Sequence, residues 1–312
     1  MAASNLVPAD AAGIALGAQA IRAGRTVAVP TETVYGLAAR ADRDEAVAAI
    51  YRAKGRPDFN PLIVHVPDLA AARALAVVDQ RAERLAGAFW PGALTLVLPR
   101  RVDASLAAAV TAGLPAVAIR CPAHPVMRAL LRETALPLAA PSANRSGGVS
   151  PTSAAHVAAS LGARAGLILD GGETQQGIES TIVALRDRGG WTLLRPGPIT
   201  ESQISAVLGR PQDAVTSNGI EAPGQLASHY APGKPVRLEA RSAEADEFHI
   251  GFGDIAGEVS LSPAGDLAEA AARLYACLHL AAGSARARVA IAPVPDEGIG
   301  AAINDRLRRA AA

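Results

Sequence analysis

Aromatic residues are scarce in this 312-residue chain: Phe, Trp and Tyr make up 3% of it, although half of it is hydrophobic. Its core must therefore be built from Ala, Val, Leu and Ile, and there is little ring surface on which to stack RNA bases. Cysteine is equally rare. Cys121 and Cys277 lie far apart without metal-ligand spacing, which argues against a disulfide framework or a zinc site and for a reducing cytoplasm. Neither sign of charge dominates: 30 basic and 29 acidic residues leave a net +1. That speaks against a protein made to coat nucleic acid and leaves room for a local basic pocket. No run of about 18 apolar residues occurs, so no membrane span is expected. The start MAASNLVPADAAG lacks a basic n-region and an apolar h-region, so no signal peptide is expected either.

Common chemical signatures are also missing. There is no GxxxxGK[ST] phosphate loop, no HExxH, no GxSxG elbow and no CxxC. Gly251-Phe252-Gly253-Asp254-Ile255-Ala256 fits GxGxx[GA], but nothing beside it completes a β-α-β unit, and a tight turn is expected there.

The length suits one large or two ordinary domains. Apolar runs at 26–29, 61–66, 116–120, 166–172, 180–185 and 192–195 suit strands, and WPGALTLVLP at 90–99 a turn and another strand. Periodic Ala-rich stretches at 8–23, 69–76, 79–88, 124–132 and 151–161 suit helices. The strands crowd too closely for strict β-α-β alternation, so a mixed sheet with packed helices is expected. Residues 210–235 are rich in Pro, Gly, Ser and Asn without periodicity, as a linker is. A loop of about 25 residues is usually functional or disordered. Beyond it a strand, a helix near 266–282, a strand at 289–292 and a helix near 299–309 outline a small α/β domain. The expected divisions are 1–205, 206–235 and 236–312.

The stretch from Pro30 to Pro61 organises the rest. Thr31, Glu32, Thr33 and Tyr35 place three hydroxyls and a carboxylate in one turn. Asp42 and Glu45 suggest a capping box opening a helix that Gly55 stops. Lys54 and Arg56 then fall at that helix's C-terminus. They are either dipole caps or, with the polar turn, the lip of a site for an anion. Arg120 ends an apolar strand, as half of a buried ion pair or as a grip on a carboxylate or phosphate. His65, on the face opposite Leu62, Val64 and Val66, is either a satisfied core histidine or a ligand group. Ser142-Ala143-Asn144-Arg145-Ser146-Gly147-Gly148 is a flexible turn or a loop that offers N–H groups to phosphate. Ser150, Ser180, Arg195 and the linker pair His229-Tyr230 complete the candidates, and Thr152 or Ser153 is expected to cap the following helix.

Taken together these motifs resemble the YrdC-like threonylcarbamoyl-AMP synthases in their two-domain form. The likeness runs through PTETVYGL, Lys54-x-Arg56-Pro57, Asn60-Pro61-Leu62, WPGALTLVL, Arg120-Cys121-Pro122, PSANRSG, DGG with IESTI, and LRPGPI. His229-Tyr230-Ala231-Pro232 resembles the linker of the two-domain form, and GIGAAINDRLRRA the end of its C-terminal domain. The resemblance implies a YrdC-like twisted mixed sheet followed by a small Rossmann-like α/β domain. It implies an enzyme that joins L-threonine, bicarbonate and ATP, with release of pyrophosphate, into an adenylate. Other proteins then use that adenylate to modify an adenosine in tRNAs reading codons that begin with A. Thr33, His65, Arg120, Ala140 and Ser180 would surround threonine. Lys54, Arg56, Asn60, Ala116, Ser142, Asn144, Ser150 and Arg195 would hold ATP, with Lys54 and Arg56 acting on the phosphates. His229 and Tyr230 would close over the nucleotide. Mg2+ would accompany ATP, with no dedicated protein site for it, and neither a membrane nor a stably bound nucleic acid is expected as a partner. An RNA-binding module using the sheet face and a carbamoyl-transfer enzyme are the rival readings.

Overall fold

Apolar residues at alternate positions of the central strands build one face of a sheet, and the residues between them build the other. Leu62, Val64, Leu94, Leu96, Leu98, Val117, Ile119 and Val183 point into the main core. Ile63, Val97, Ala118 and Ile182 form a smaller apolar cluster with Ala222. His65, Thr95, Arg120 and Ser180 keep step with that second set along the strands, so the polar candidates share one face. The structure is a computed structural model and describes residues 5–186, 189–210, 221–224 and 228–312. Arg188, expected in a turn, and the parts of the expected linker at 211–220 and 225–227 lie outside the described residues.

In chain order the first part comprises β1 (Leu6–Pro8), α1 (Ala11–Arg22), β2 (Val27–Val29), β3 (Gly36–Arg40), α2 (Asp44–Lys54) and β4 (Ile63–His65). There follow α3 (Leu69–Arg73), α4 (Gln80–Phe89), β5 (Leu94–Pro99), β6 (Ala116–Arg120), α5 (Pro125–Thr134) and β7 (Leu138–Ala139). Then come α6 (Ala154–Leu161), β8 (Leu167–Asp170), β9 (Thr181–Leu185), β10 (Trp191–Arg195) and α7 (Glu201–Leu208). Among the described residues these strands form a ten-stranded sheet in the order β1-β8-β2-β3-β7-β4-β6-β5-β9-β10. It is mixed, as expected: β4–β6 and β5–β9 run parallel, β5–β6 and β3–β7 antiparallel. Helices α1 and α5 cover one end of the sheet through Ile21, Leu130 and Leu169, whereas α2, α4 and α6 pack on the main core.

The remainder holds β11 (Val236–Arg237), β12 (Glu247–Gly251), β13 (Val259–Ser260), α8 (Leu267–Gly283), β14 (Arg288–Ile291) and α9 (Gly300–Ala310). Its four strands pair in parallel in the order β11-β14-β12-β13. The Gly251–Ala256 motif is a tight turn. Phe252 and Ile255 exchange backbone hydrogen bonds of 3.1 Å, and a Cβ on Gly251 would lie 2.2 Å from the Ile255 carbonyl oxygen. Among the described residues no helix is long and apolar enough to cross a membrane.

Two local expectations are corrected. The capping box at Asp42 and Glu45 does not form: Arg43 is the N-cap and makes no side-chain cap bond. Asp42 instead receives both Arg40 Nε and Nη2 at 2.7 Å, a bidentate pair in which both partners are charged. Strand β1 was not expected, because its register is supplied by β8 from across the chain rather than by local pattern. Gly55 does close α2 in the left-handed conformation, and Ser153 caps α6.

The two sheets share packing. One apolar cluster joins Val34, Val149, Ile178 and Tyr230 to the helices α8 and α9. Gly177, with φ +69, lies so close to α8 that a Cβ would come 2.4 Å from Ala271 O and 2.3 Å from Ala272 O. His156 on α6 stacks on His279 of α8, ring centroids 3.8 Å apart. Burial pulls the His156 imidazolium below its ordinary value, and burial with the neighbouring His156 brings His279 to about 4.

Two outcomes follow from this interface. Gly177→Ala, which adds both left-handed strain and a backbone clash, should destabilise the chain by about 1 kcal/mol or more in urea denaturation. Both histidines have folded pKa values below the unfolded value of 6.5, so their contribution is intact above that pH and is lost as pH falls below it, toward about 4 for His279. Thermal stability should therefore start to fall below pH 6.5, before carboxylates titrate, by at most about 1.4 kcal/mol per pH unit for each proton. His279→Phe, which keeps a stacking ring, should flatten that slope.

Candidate functional site

The parallel pairing of β4 with β6 sets His65 directly beside Arg120, and antiparallel β5 sets Thr95 on Arg120's other side. Thr95 Oγ1 and Ser180 Oγ lie 2.8 Å apart at the start of β9. A cavity of about 50 Å³ lies over these strand ends, with His65, Arg120, Ile63 and Ser180 in its floor. Thr33 and Val34 come from the polar turn, Ala140, Pro141 and Ser142 follow β7, and Arg56 and Arg195 add two guanidiniums. Pro223, Gly224, His229 and Tyr230 close it from the linker side.

Arg120 is half of a buried ion pair, the first of its two readings, and it also lines the cavity. Its Nη2 donates to Glu32 Oε1 at 2.6 Å, its Nη1 to Thr33 Oγ1 at 2.9 Å and its Nε to Gly92 O at 3.2 Å, with the pair buried. Burial works to raise the Glu32 carboxyl, but the charge and hydrogen bond of Arg120 outweigh it and hold Glu32 below its usual range. A guanidinium has five N–H donors, so two remain for a ligand. His65, buried on the cavity floor, is kept neutral by burial first and by Arg120 second, its pKa brought down to about 3. Its Nδ1 has no partner among the described residues.

The other cations are arranged differently. Arg56 donates to Asn60 Oδ1 at 2.7 Å, Asn60 O at 3.1 Å and Pro61 O at 2.8 Å. Arg195 donates to Ser180 O at 3.0 Å, Ser180 Oγ at 3.1 Å and Pro223 O at 3.4 Å. Among the described residues neither makes an ion pair with a carboxylate. Burial, with other cations nearby, pulls Arg56 down to about 10 and lowers Arg195 as well. Buried positive charge in excess of carboxylate is a site for an anion.

Not every expected residue reaches the cavity wall. Lys54 Nζ is turned onto the carbonyls of Ser142 and Asn144, each at 2.6 Å, and burial depresses it well below the usual lysine value. Asn144 folds its own loop, donating Nδ2 to Arg145 O at 2.8 Å and Gly148 O at 2.7 Å, with Oδ1 buried and unpartnered. Asn60 lies behind Arg56. Ser150 donates to Glu179 Oε1 at 2.6 Å. Ala116, expected beside ATP, lines a separate cavity with Arg186 and Glu221.

The linker contributes strain as well as bulk. Tyr230 has φ 64, a left-handed conformation that a bulky residue avoids. It is held there by Ala231 N to Gly147 O at 2.9 Å and by His229 N to Arg309 O at 3.1 Å. His229 Nδ1 is buried without a partner. Gly224, φ +89, leaves room for Arg195: a Cβ there would lie 2.8 Å from Arg195 Cδ.

Glu179 lies within the IESTI motif beside Ser180, and nothing in its local sequence marks it as a site residue. It is the cavity's one lining carboxylate among the described residues. Burial alone would raise it, yet Arg306, Arg195 and hydrogen bonds from Ser150 and Tyr275 bring it to about 2. Its motif IESTI was visible, but its partners Tyr275 and Arg306 come from helices about a hundred residues away.

Residues 19–197 match the Sua5, YciO and YrdC family model, described as telomere recombination, and residues 199–312 match the model described as the C-terminal domain of threonylcarbamoyl-AMP synthase. The Bacillus subtilis protein named threonylcarbamoyl-AMP synthase is 42% identical over 322 residues, covering 96% of this chain and 92% of its own. The Pyrococcus abyssi protein of that name is 45% identical over 231 residues, 72% of this chain and 66% of its own. A solved structure of Pyrococcus abyssi Sua5 complexed with L-threonine is similar with TM-score 0.87 at 36% identity, over 96% of this chain and 94% of that one. With both halves matched in one chain and the same fold throughout, this protein belongs to the threonylcarbamoyl-AMP synthase family, in its two-domain form.

Proposed function

We propose that the chain condenses L-threonine, bicarbonate and ATP into threonylcarbamoyl-AMP, releasing pyrophosphate and water. One observation carries this reading: a single cavity joins a carboxylate-balanced guanidinium, Arg120, to two buried guanidiniums without carboxylate partners, Arg56 and Arg195. The first suits a small amino acid, whose carboxylate takes the remaining Arg120 donors. The unpartnered Nδ1 of neutral His65 accepts a hydrogen bond there, and Thr33, Ala140 and Ser180 bound the rest. The second suits a triphosphate. The names of the relatives and the threonine held by the Pyrococcus abyssi protein support the same assignment.

In this reading the threonine amine attacks CO2 or bicarbonate, giving a carbamate. The carbamate oxygen then attacks the α-phosphorus of ATP, and the bond to pyrophosphate breaks. Negative charge gathers on the leaving group, where Arg56 and Arg195 stabilise it electrostatically. No residue acts as a covalent nucleophile, so positioning of three substrates supplies much of the remaining acceleration. Lys54 acts through the loop whose carbonyls at Ser142 and Asn144 it fixes, and Asn60 aligns Arg56. Ser142, Asn144 and Ser150 shape the nucleotide side. Mg2+ would accompany ATP, held by its phosphates, and would help neutralise their charge; among the described residues no three His, Cys, Asp or Glu cluster to hold it. His229 and Tyr230 form a lid that keeps water from a hydrolysable mixed anhydride. The product passes in the cytoplasm to the proteins that transfer the threonylcarbamoyl group to tRNA.

Pyrophosphate release should require ATP, L-threonine and bicarbonate together. Release indifferent to threonine would return the chain to the RNA-binding or carbamoyl-transfer readings. Arg195→Ala should lower kcat by about 10²–10³-fold, and an unchanged rate in that variant would sink the phosphate role given to it.

A further inference from the structure

Glu179 is the junction between the cavity and the C-terminal sheet. It lines the cavity with 6% of its surface exposed. Its Oε1 accepts from Ser150, and its Oε2 accepts from Tyr275 OH of α8 at 2.8 Å and from Arg306 Nε of α9 at 3.0 Å. Arg306 is fully buried. Its Nη1 donates to Asp305 Oδ2 at 2.8 Å, while its Nη2 has no hydrogen-bond partner among the described residues. The same guanidinium lies 5.5 Å from the centre of the Tyr230 ring, and the Tyr275 ring lies 5.4 Å from that of Tyr230. Neither Arg306 nor Tyr275 lines the cavity. Each touches both the carboxylate in its wall and the aromatic residue that closes it.

The charges explain why this junction matters. With Arg306 in place, Glu179 spends its hydrogen-bonding capacity on Ser150, Tyr275 and Arg306, and Arg195 keeps its donors on Ser180 and Pro223. Without Arg306 the carboxylate would be buried beside Arg195 with its main counter-charge gone. It would then draw on Arg195 and repel any anion entering the cavity. Tyr230 would also lose the cation against its ring, which helps to hold its left-handed backbone conformation.

We propose that Arg306, assisted by Tyr275, is a positioning residue for the nucleotide half of the site. The C-terminal domain neutralises Glu179 and fixes Tyr230, leaving Arg56 and Arg195 to the anionic substrate. The threonine half is insulated from this effect, because Arg120 has its own carboxylate in Glu32. This inference rests on the synthase reading and names which part of the reaction the second domain serves.

The experiment measures steady-state pyrophosphate release by the full chain, varying ATP and L-threonine separately. The wild-type protein tests the synthase reading, and the variants test the inference. Arg306→Met, which keeps bulk and removes charge, should raise KM for ATP at least about tenfold while KM for threonine stays within about twofold. Arg306→Lys should recover most of the loss. Adding Glu179→Gln to Arg306→Met should also restore ATP affinity, because the neutral amide no longer repels phosphate, an effect that a merely structural role would not produce. An equal rise in both KM values, or a double variant no better than the single one, overturns the proposal. Should Arg306→Met not fold, Tyr275→Phe decides: a selective rise in KM for ATP supports the inference, and an unchanged KM overturns it.

Discussion

A guanidinium taken out of water must be given acceptors or an anion, and this structure answers that demand in two ways. Arg120 and Arg306 receive carboxylates, Glu32 and Glu179. Arg56 and Arg195 receive backbone and side-chain oxygens of Asn60, Pro61, Ser180 and Pro223, which satisfy hydrogen bonds without cancelling charge. The division produces a cavity with a balanced end and a positive end. A zwitterionic amino acid and a polyphosphate differ in the same respect, and the proposed placement of both substrates derives from it.

Everything else keeps these charges where they are. Strand alternation sends one set of side chains into an apolar core and leaves His65, Thr95, Arg120 and Ser180 together on the other face. The turn at Thr31–Val34 is tied by its own hydroxyl, since Thr31 Oγ1 donates to Val34 O at 2.6 Å. That places Thr33 against Arg120. Lys54 closes the loop after β7 from behind. Among the described residues the C-terminal part adds no lining residue, but α8 and α9 reach the wall carboxylate through Tyr275 and Arg306, and α9 holds the linker backbone through the Arg309 carbonyl.

Most of the catalytic half was legible in the sequence because its signals are local. A β-branched run followed by Pro30, a helix stopped by Gly55, and the apolar strand ending on Arg120 all declare themselves within a few residues. The elements at 116–120 and near 266–282 and 299–309 appear where their periodicity places them. What was not legible depended on competition or distance. Asp42 offered a cap, but Arg40 on the adjacent strand took it. Strand β1 exists only because β8 pairs with it.

The sequence by itself determined the mixed α/β class and the family likeness, and it supplied the side chains that the proposed reading assigns to an amino acid and a phosphate. Local propensity and alternation need no knowledge of distant partners. Tertiary structure alone decided which cations would be paired. That choice depends on burial and on which carboxylate arrives within about 3 Å, conditions set jointly by strands and helices far apart in the chain. Glu179, unremarkable beside Ser180 in the sequence, becomes the link between two sheets only when Tyr275 and Arg306 reach it.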